Sequence, residues 1–265
     1  METPQELATL KLTIQELEET IKHGENYISN LQEKLQRVTP DRDQIEAKIR
    51  VNLSDSVWFH LQQGSQKDLC FADRNYEIIN SEKFTSQISD YSEAGLRLGF
   101  VIEREIVRPF FKSLYQYLLI NNNKSYNFLA NPNFEIGGVI VSSKGKYTMG
   151  SLPQLLSVQW TTFKDKSLNQ AQLPKDELYQ TVFFGNQINQ ADRYLLGIFL
   201  QQWQHPLSSW LREAEIAASK IDQINKLRNI AAHGENYFYE WQFNILRLLV
   251  VGGKKQRGVL QEIYD

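Results

Sequence analysis

Apolar residues open the chain at alternating steps of three and four: Leu7, Leu10, Ile14, Leu17 and Ile21, then Ile28, Leu31, Leu35 and Val38. Gln, Glu, Lys and Thr fill most positions between them. A helix turns once in about 3.6 residues, so this spacing lines the apolar side chains along one seam, in a heptad register kept over about four heptads. Gly24 sits in the empty slot of that seam, and Pro40 ends it. A glycine inside a helix costs about 1 kcal/mol, yet the register continues past it. The pattern predicts a coiled-coil segment over residues 1–40, one continuous helix that pairs with a partner helix. A helical hairpin bent at His23-Gly24-Glu25-Asn26 is the competing reading.

From residue 41 the pattern changes, and a helical bundle is predicted over 41–253. Ile45, Ile49 and Leu53 open a second helix. Val57-Trp58-Phe59-His60-Leu61 continues as an apolar patch, and Gly64 reads as a helix stop. Leu69, Ala72, Tyr76 and Ile79 recur at helical spacing. A long amphipathic run from Glu93 to Ile120 carries Leu96, Phe100, Ile106, Phe110, Phe111, Leu114, Tyr117 and Leu118, interrupted by Pro109. Asn121-Asn122-Asn123 marks a loop.

The middle of the chain is less legible. Phe134–Tyr147 has β-branched residues around a Ser-Lys-Gly turn signal, which predicts a small β-hairpin near 134–148 or an extended loop. Ser151-Leu152-Pro153 reads as a helix start leading through Leu155, Leu156 and Val158. Leu173–Phe184 is mixed. Helical spacing returns from Gln187 through Leu195, Leu196, Phe199 and Trp203 until Pro206 breaks it. One helix then holds Leu207, Trp210, Leu211, Ala214, Ala218, Ile221, Ile224 and Leu227 and delivers the chain to Arg228. A last helix, Glu240–Val251, ends at Gly252-Gly253, followed by a basic tail at 254–265 with Lys254, Lys255 and Arg257. The expected fold class is mostly α.

Composition narrows the chemistry. The 265 residues are 42% hydrophobic and 12% aromatic, enough to bury a sizeable core. A formal charge of −2 provides no global positive field, so nucleic-acid binding would need a local patch. Cys70 is the single cysteine, which fits a reducing, cytoplasmic setting. The mixed polar N-terminus is unlike a signal peptide, and no run of about 18 apolar residues predicts a membrane span. The four histidines are scattered and show no metal-ligand spacing, and phosphate-loop, dinucleotide and nucleophile-elbow motifs are absent from the sequence. The pentapeptide HGENY occurs at His23–Tyr27 and again at His233–Tyr237; its flanks differ, so it reads as coincidence.

The remaining candidate is Lys226-Leu227-Arg228-Asn229-Ile230-Ala231-Ala232-His233-Gly234. Arg228 and His233 are five apart, roughly 140° around a helix. They converge only if the helix frays before Gly234 or if two copies pair across it. Small Ala231 and Ala232 would allow close approach of a second helix. An imidazole near a helix C-terminus suits general acid–base work, and an arginine fork suits a phosphate. Asn229 could orient either one. The bland alternative pairs Arg228 with a carboxylate such as Glu103 and makes His233 a cap residue before a glycine stop.

Arg228-Asn229-x-x-x-His233 resembles the R-x4–6-H motif of the HEPN superfamily, whose arginine is often followed by a polar residue. The long earlier helix with Glu103, Arg104 and Glu105 is of a kind seen there too. The resemblance implies a HEPN-like bundle of four or five helices and a metal-independent endoribonuclease of a bacterial defence or toxin–antitoxin type. Arg228, Asn229 and His233 would be catalytic in a composite site formed by a dimer or higher oligomer, with no cofactor. RNA would be held by Lys226, with Lys254, Lys255 and Arg257, and Tyr237, Phe238, Tyr239 and Trp241 either stack on bases or fill the core. Some HEPN toxins follow the histidine with a tyrosine two residues on, modified by a partner; here Gly234-Glu235 follows. HEPN-like bundles also serve as non-catalytic adaptors, and the coiled coil could then hold a protein partner. An unrelated helical scaffold is the third reading.

Overall fold

The computed structural model describes residue 14 and residues 17–29, 41–81, 89–121, 133–145, 147–174, 177–184, 188–233 and 237–265. The chain divides into two units, Met1–Asp41 and Arg42–Asp265. In the first, residues 17–29 form helix α1, which runs through Gly24 without a break, so the hairpin bend at 23–26 is not adopted. Leu7, Leu10, Leu31, Leu35, Val38 and Pro40 lie outside the described residues.

The second unit is mostly helical, as the periodicity predicts. It begins with α2 (Arg42–Leu53), α3 (Asp55–His60) and α4 (Gln63–Ser81). Ser54 caps α3, its hydroxyl accepting from the Val57 N–H. Gly64 is not a stop. It lies in the first turn of α4, where a Cβ would come within 3.0 Å of the Arg104 guanidinium.

The amphipathic run from Glu93 is one long rod in three pieces: α5 (Ser92–Ile102), a π-helical segment (Glu103–Val107) and α6 (Arg108–Asn121). The wide turn closes where the Arg108 N–H bonds the Glu103 carbonyl. Pro109 follows directly in the first turn of α6, so it does not interrupt the rod. Glu103 and Glu105, two apart on this segment, face different sides of it and so reach different partners. Glu105 is buried and accepts from the Gln62 N–H (3.0 Å), Ser65 Oγ (2.5 Å) and Tyr264 Oη (2.9 Å). Glu103 turns to the other side of the rod.

Three small antiparallel pairs interrupt the helices. β1 (Phe134–Ile136) and β2 (Val139–Val141) meet at Gly137-Gly138, with φ of 54° and 77°. Two successive left-handed residues make the tight turn, as glycine allows; the Ser-Lys-Gly signal lies past it. After α7 (Ser151–Leu156), β3 (Gln159–Phe163) pairs with β4 (Tyr179–Phe183) across short α8 (Asp165–Leu168). Only β4 lies in the mixed stretch Leu173–Phe184, and the helix expected to run through Val158 ends at Leu156, before β3 begins.

Next come α9 (Gln190–Gln202), α10 (Pro206–Arg212) and α11 (Ala214–Ala232). The single helix expected from Leu207 to Leu227 is therefore two, broken at Glu213, whose ψ of 57° is not helical. Then follow α12 (Glu240–Val250), a two-residue pair of β5 (Gly252–Gly253) with β6 (Gln256–Arg257), and α13 (Val259–Tyr264). The expected basic tail is thus folded: Val259, Leu260 and Ile263 are buried, and Tyr264 reaches Glu105.

Helix α11 packs on α5, α7, α12 and β3. Its Ala217, Ala218, Ile221, Ile224, Leu227 and Ala231 are buried, each large apolar side chain contributing about 1.5–3 kcal/mol. Hydrogen bonds fix the strand on it. Ser219 Oγ accepts from the Thr161 N–H at 2.9 Å, Gln223 Nε2 donates to the Thr161 carbonyl at 3.1 Å, and Thr162 Oγ1 donates to Asp222.

Candidate functional site at the end of helix α11

The last turns of α11 lie against α5 at unusually close range. A Cβ on Gly95 would come within 2.6 Å of the Phe238 ring and 3.1 Å of Ala231 Cβ. One on Gly99 would fall 2.3 Å from Arg228 Cγ. Glycines four apart on α5 therefore admit the stem of Arg228 and the methyl of Ala231. The close neighbour that Ala231 accommodates is α5 of the same chain; Ala232, beside it, is exposed. The Gly-x-x-x-Gly spacing inside a helical pattern was the signal that could have revealed this contact.

Glu103 lies one turn beyond Gly99, and its Oε1 takes the Arg228 Nη2 at 2.8 Å. Arg228 Nη1 donates to Asn229 Oδ1 at 3.3 Å. Arg228 Nε is buried with no acceptor. A buried donor left so costs about 1–3 kcal/mol, which the ion pair and the buried stem must offset. The side chain as a whole remains 27% exposed.

Helix α11 keeps its hydrogen bonding to the end. The His233 N–H closes the last turn on the Asn229 and Ile230 carbonyls, and the residue then leaves the helix with φ −99° and ψ 91°. His233 is exposed. The helix does not unwind before it, so the roughly 140° between the two side chains is not closed within one chain. Gly234, with Glu235 and Asn236, lies outside the described residues.

The expected RNA-binding cations are placed elsewhere or already engaged. Lys226 Nζ bonds Asp165 at 2.7 Å and the Phe163 carbonyl at 2.8 Å, tying α11 to the end of β3. Arg257 pairs with Asp265 at 3.2 Å. Lys254 and Lys255 are exposed at the tip of the β5–β6 turn. That turn follows α12, whose 11 residues carry the chain about 16 Å from its start near α11's end. Phe238 is core, Trp241 Nε1 donates to the Gln170 carbonyl at 3.1 Å, and Tyr237 is exposed. Of the predicted site, then, the fold brings Arg228, Asn229 and Glu103 together, leaves His233 in solvent beside them in sequence, and does not gather the lysines.

No protein-family model matches the chain, and neither does any curated protein or solved structure.

Proposed function

We propose that the chain is a metal-independent endoribonuclease of HEPN type, of the kind found in bacterial defence and toxin–antitoxin systems, with an active site completed by a second copy. The observation that carries this reading is the arginine held at a defined place. Glu103 and Asn229 brace Arg228, Gly99 admits its stem, and an exposed imidazole follows five residues on. A preorganised guanidinium can grip a scissile phosphate through its free donors. Histidine would take the proton of the RNA 2′-hydroxyl as that oxygen attacks phosphorus, or give one to the departing 5′-oxygen. The product would carry a 2′,3′-cyclic phosphate. Because one helix holds the two side chains apart, two copies of the motif facing across one cleft supply the set.

A second reading rests on the same ion pair. Arg228 is already neutralised by Glu103, as in a structural contact, and that favours a non-catalytic HEPN-like module that binds a protein or nucleic-acid partner.

RNA cleavage in the presence of EDTA separates the two, comparing wild type with Arg228→Ala and His233→Ala after matching their oligomeric mass and thermal stability. Cleavage that survives chelation and is lost in both variants is the expected result. A wild type that leaves every RNA intact sinks the ribonuclease and leaves the module.

A further inference from the structure

We infer that the N-terminal helix is one strand of a parallel, two-stranded coiled coil made with a second copy of this chain. Along α1, with residue 14 before it, Ile14, Leu17, Ile21 and Ile28 are 53%, 56%, 60% and 56% exposed, a row of large apolar side chains turned to solvent. Apolar side chains gain by leaving water, so a row of this size demands a cover. The heptad columns identify that cover. Counting Leu7 as position a puts Leu7, Ile14, Ile21, Ile28 and Leu35 in the a column and Leu10, Leu17, Gly24, Leu31 and Val38 in the d column, so isoleucine leads at a and leucine at d. Branched residues at a with leucine at d favour two parallel strands over three or four. At d the Cα–Cβ bond aims at the facing helix, where a side chain branched at Cβ fits poorly and leucine, branched one carbon further out, fits well.

The flanking columns agree on orientation and partner. In a parallel pair each g residue meets the e residue of the next heptad on the other strand. Thr20 then meets Glu25, and no like charges face each other among the described residues. A centred antiparallel pair would set Glu18 of one strand beside Glu25 of the other, twice over, which like charges oppose. The columns complement themselves in register, and so fit an identical strand. Gly24 falls at d, and a Cβ built there meets nothing within 4 Å. Symmetric pairing leaves that layer without side chains, a weak point that marks the register.

The full chain is the material for the test. Sedimentation across the micromolar range should give about twice the 30.9 kDa chain mass. Ile21→Asp should weaken the pairing by about tenfold or more, and Gly24→Leu should tighten it, as filling an empty layer requires. Leu17→Cys should form a disulfide with its own counterpart on mild oxidation, because buried Cys70 does not compete. A monomer at all these concentrations overturns the proposal, as does a trimer or tetramer. So does a dimer indifferent to Ile21→Asp, or one in which Leu17→Cys cross-links only to Ile28→Cys on another chain, the antiparallel result. Mass and cross-linking report this pairing whether or not RNA is cut, so its failure and that of the ribonuclease reading are told apart.

Discussion

At Gly99 a single methyl group decides the geometry of the candidate site. Alanine would favour the helix by about 1 kcal/mol, but its Cβ would stand 2.3 Å from Arg228 Cγ. Overpacking of this kind costs about 1–3 kcal/mol, and Arg228 cannot step aside while Glu103 holds its far end. Gly99→Ala should therefore lower the urea midpoint and, on the ribonuclease reading, reduce cleavage; a raised midpoint would show that the glycine is not there for close approach. Cys70 offers a second test. Burial, followed by the nearby Glu46 carboxylate, pushes its thiol up to about 11. It should react with a thiol reagent only as denaturant unfolds the chain, and rapid labelling of the native protein would contradict the packing. At this scale the sequence is informative about chemistry, since it offers Glu103 as a carboxylate partner for Arg228, the pair the fold makes. It was poor at glycines. Gly64 reads as a stop and Gly99 passes unremarked, because what a glycine permits depends on a neighbour distant in sequence.

At the scale of elements, His205 ties pH to the start of α10. Its Nδ1 accepts from the Leu207 N–H at 3.2 Å, so the cap requires a neutral ring, and the ring stacks on Trp203 at 4.8 Å. Burial holds the His205 pKa below its ordinary value, with Glu105 opposing. The unfolded chain then takes up the proton first as pH falls. The contribution is fully present above the unfolded value of about 6.5 and is lost as pH drops toward the folded one. His205→Asn keeps a cap without the titration. The difference in stability between wild type and this variant should move against wild type between about pH 7 and 5; a difference that stays constant with pH would discard the coupling. Elements with long, clean periods were legible, as in α2, α4, α9 and α12. The β3–β4 hairpin was not, because β4 alternates weakly and its partner lies beyond α8, and strand pairing is a non-local property. The break between α10 and α11 hides for a related reason: both helices bury the same kind of stripe, and Glu213 is no breaker by type.

For the whole molecule, every member of the hydrophobic core lies at or beyond Ile45. Among the described residues, the core therefore lies within the second unit. A chain lacking residues 1–40 should keep its helical signal and melt within about 2 °C of the full chain in dilute solution. An unfolded truncation would mean that the boundary at 41 is not one of stability. Ties across this unit are polar as well as apolar. Arg247 grips Asp73 with two bonds of 2.8 and 2.7 Å, joining α12 to α4, and Lys220 bonds Glu262 at 2.5 Å, joining α11 to α13. No helix among the described residues is long and apolar enough to cross a membrane.

Periodicity alone determined that the chain is mostly helical and that an apolar seam runs along α1 ahead of the larger helical unit, while the short motif at Arg228–His233 was legible only from its residue types and a resemblance. These are local matters: 3.6 residues per turn prints a burial stripe directly on the sequence. Tertiary structure decided which helix Ala231 and Gly99 serve, that the basic C-terminal stretch folds back as a strand pair and a helix, and that Arg228 faces Glu103 while the lysines lie elsewhere. Each of those depends on which surfaces meet, and complementary packing between residues a hundred or more apart leaves no period to read.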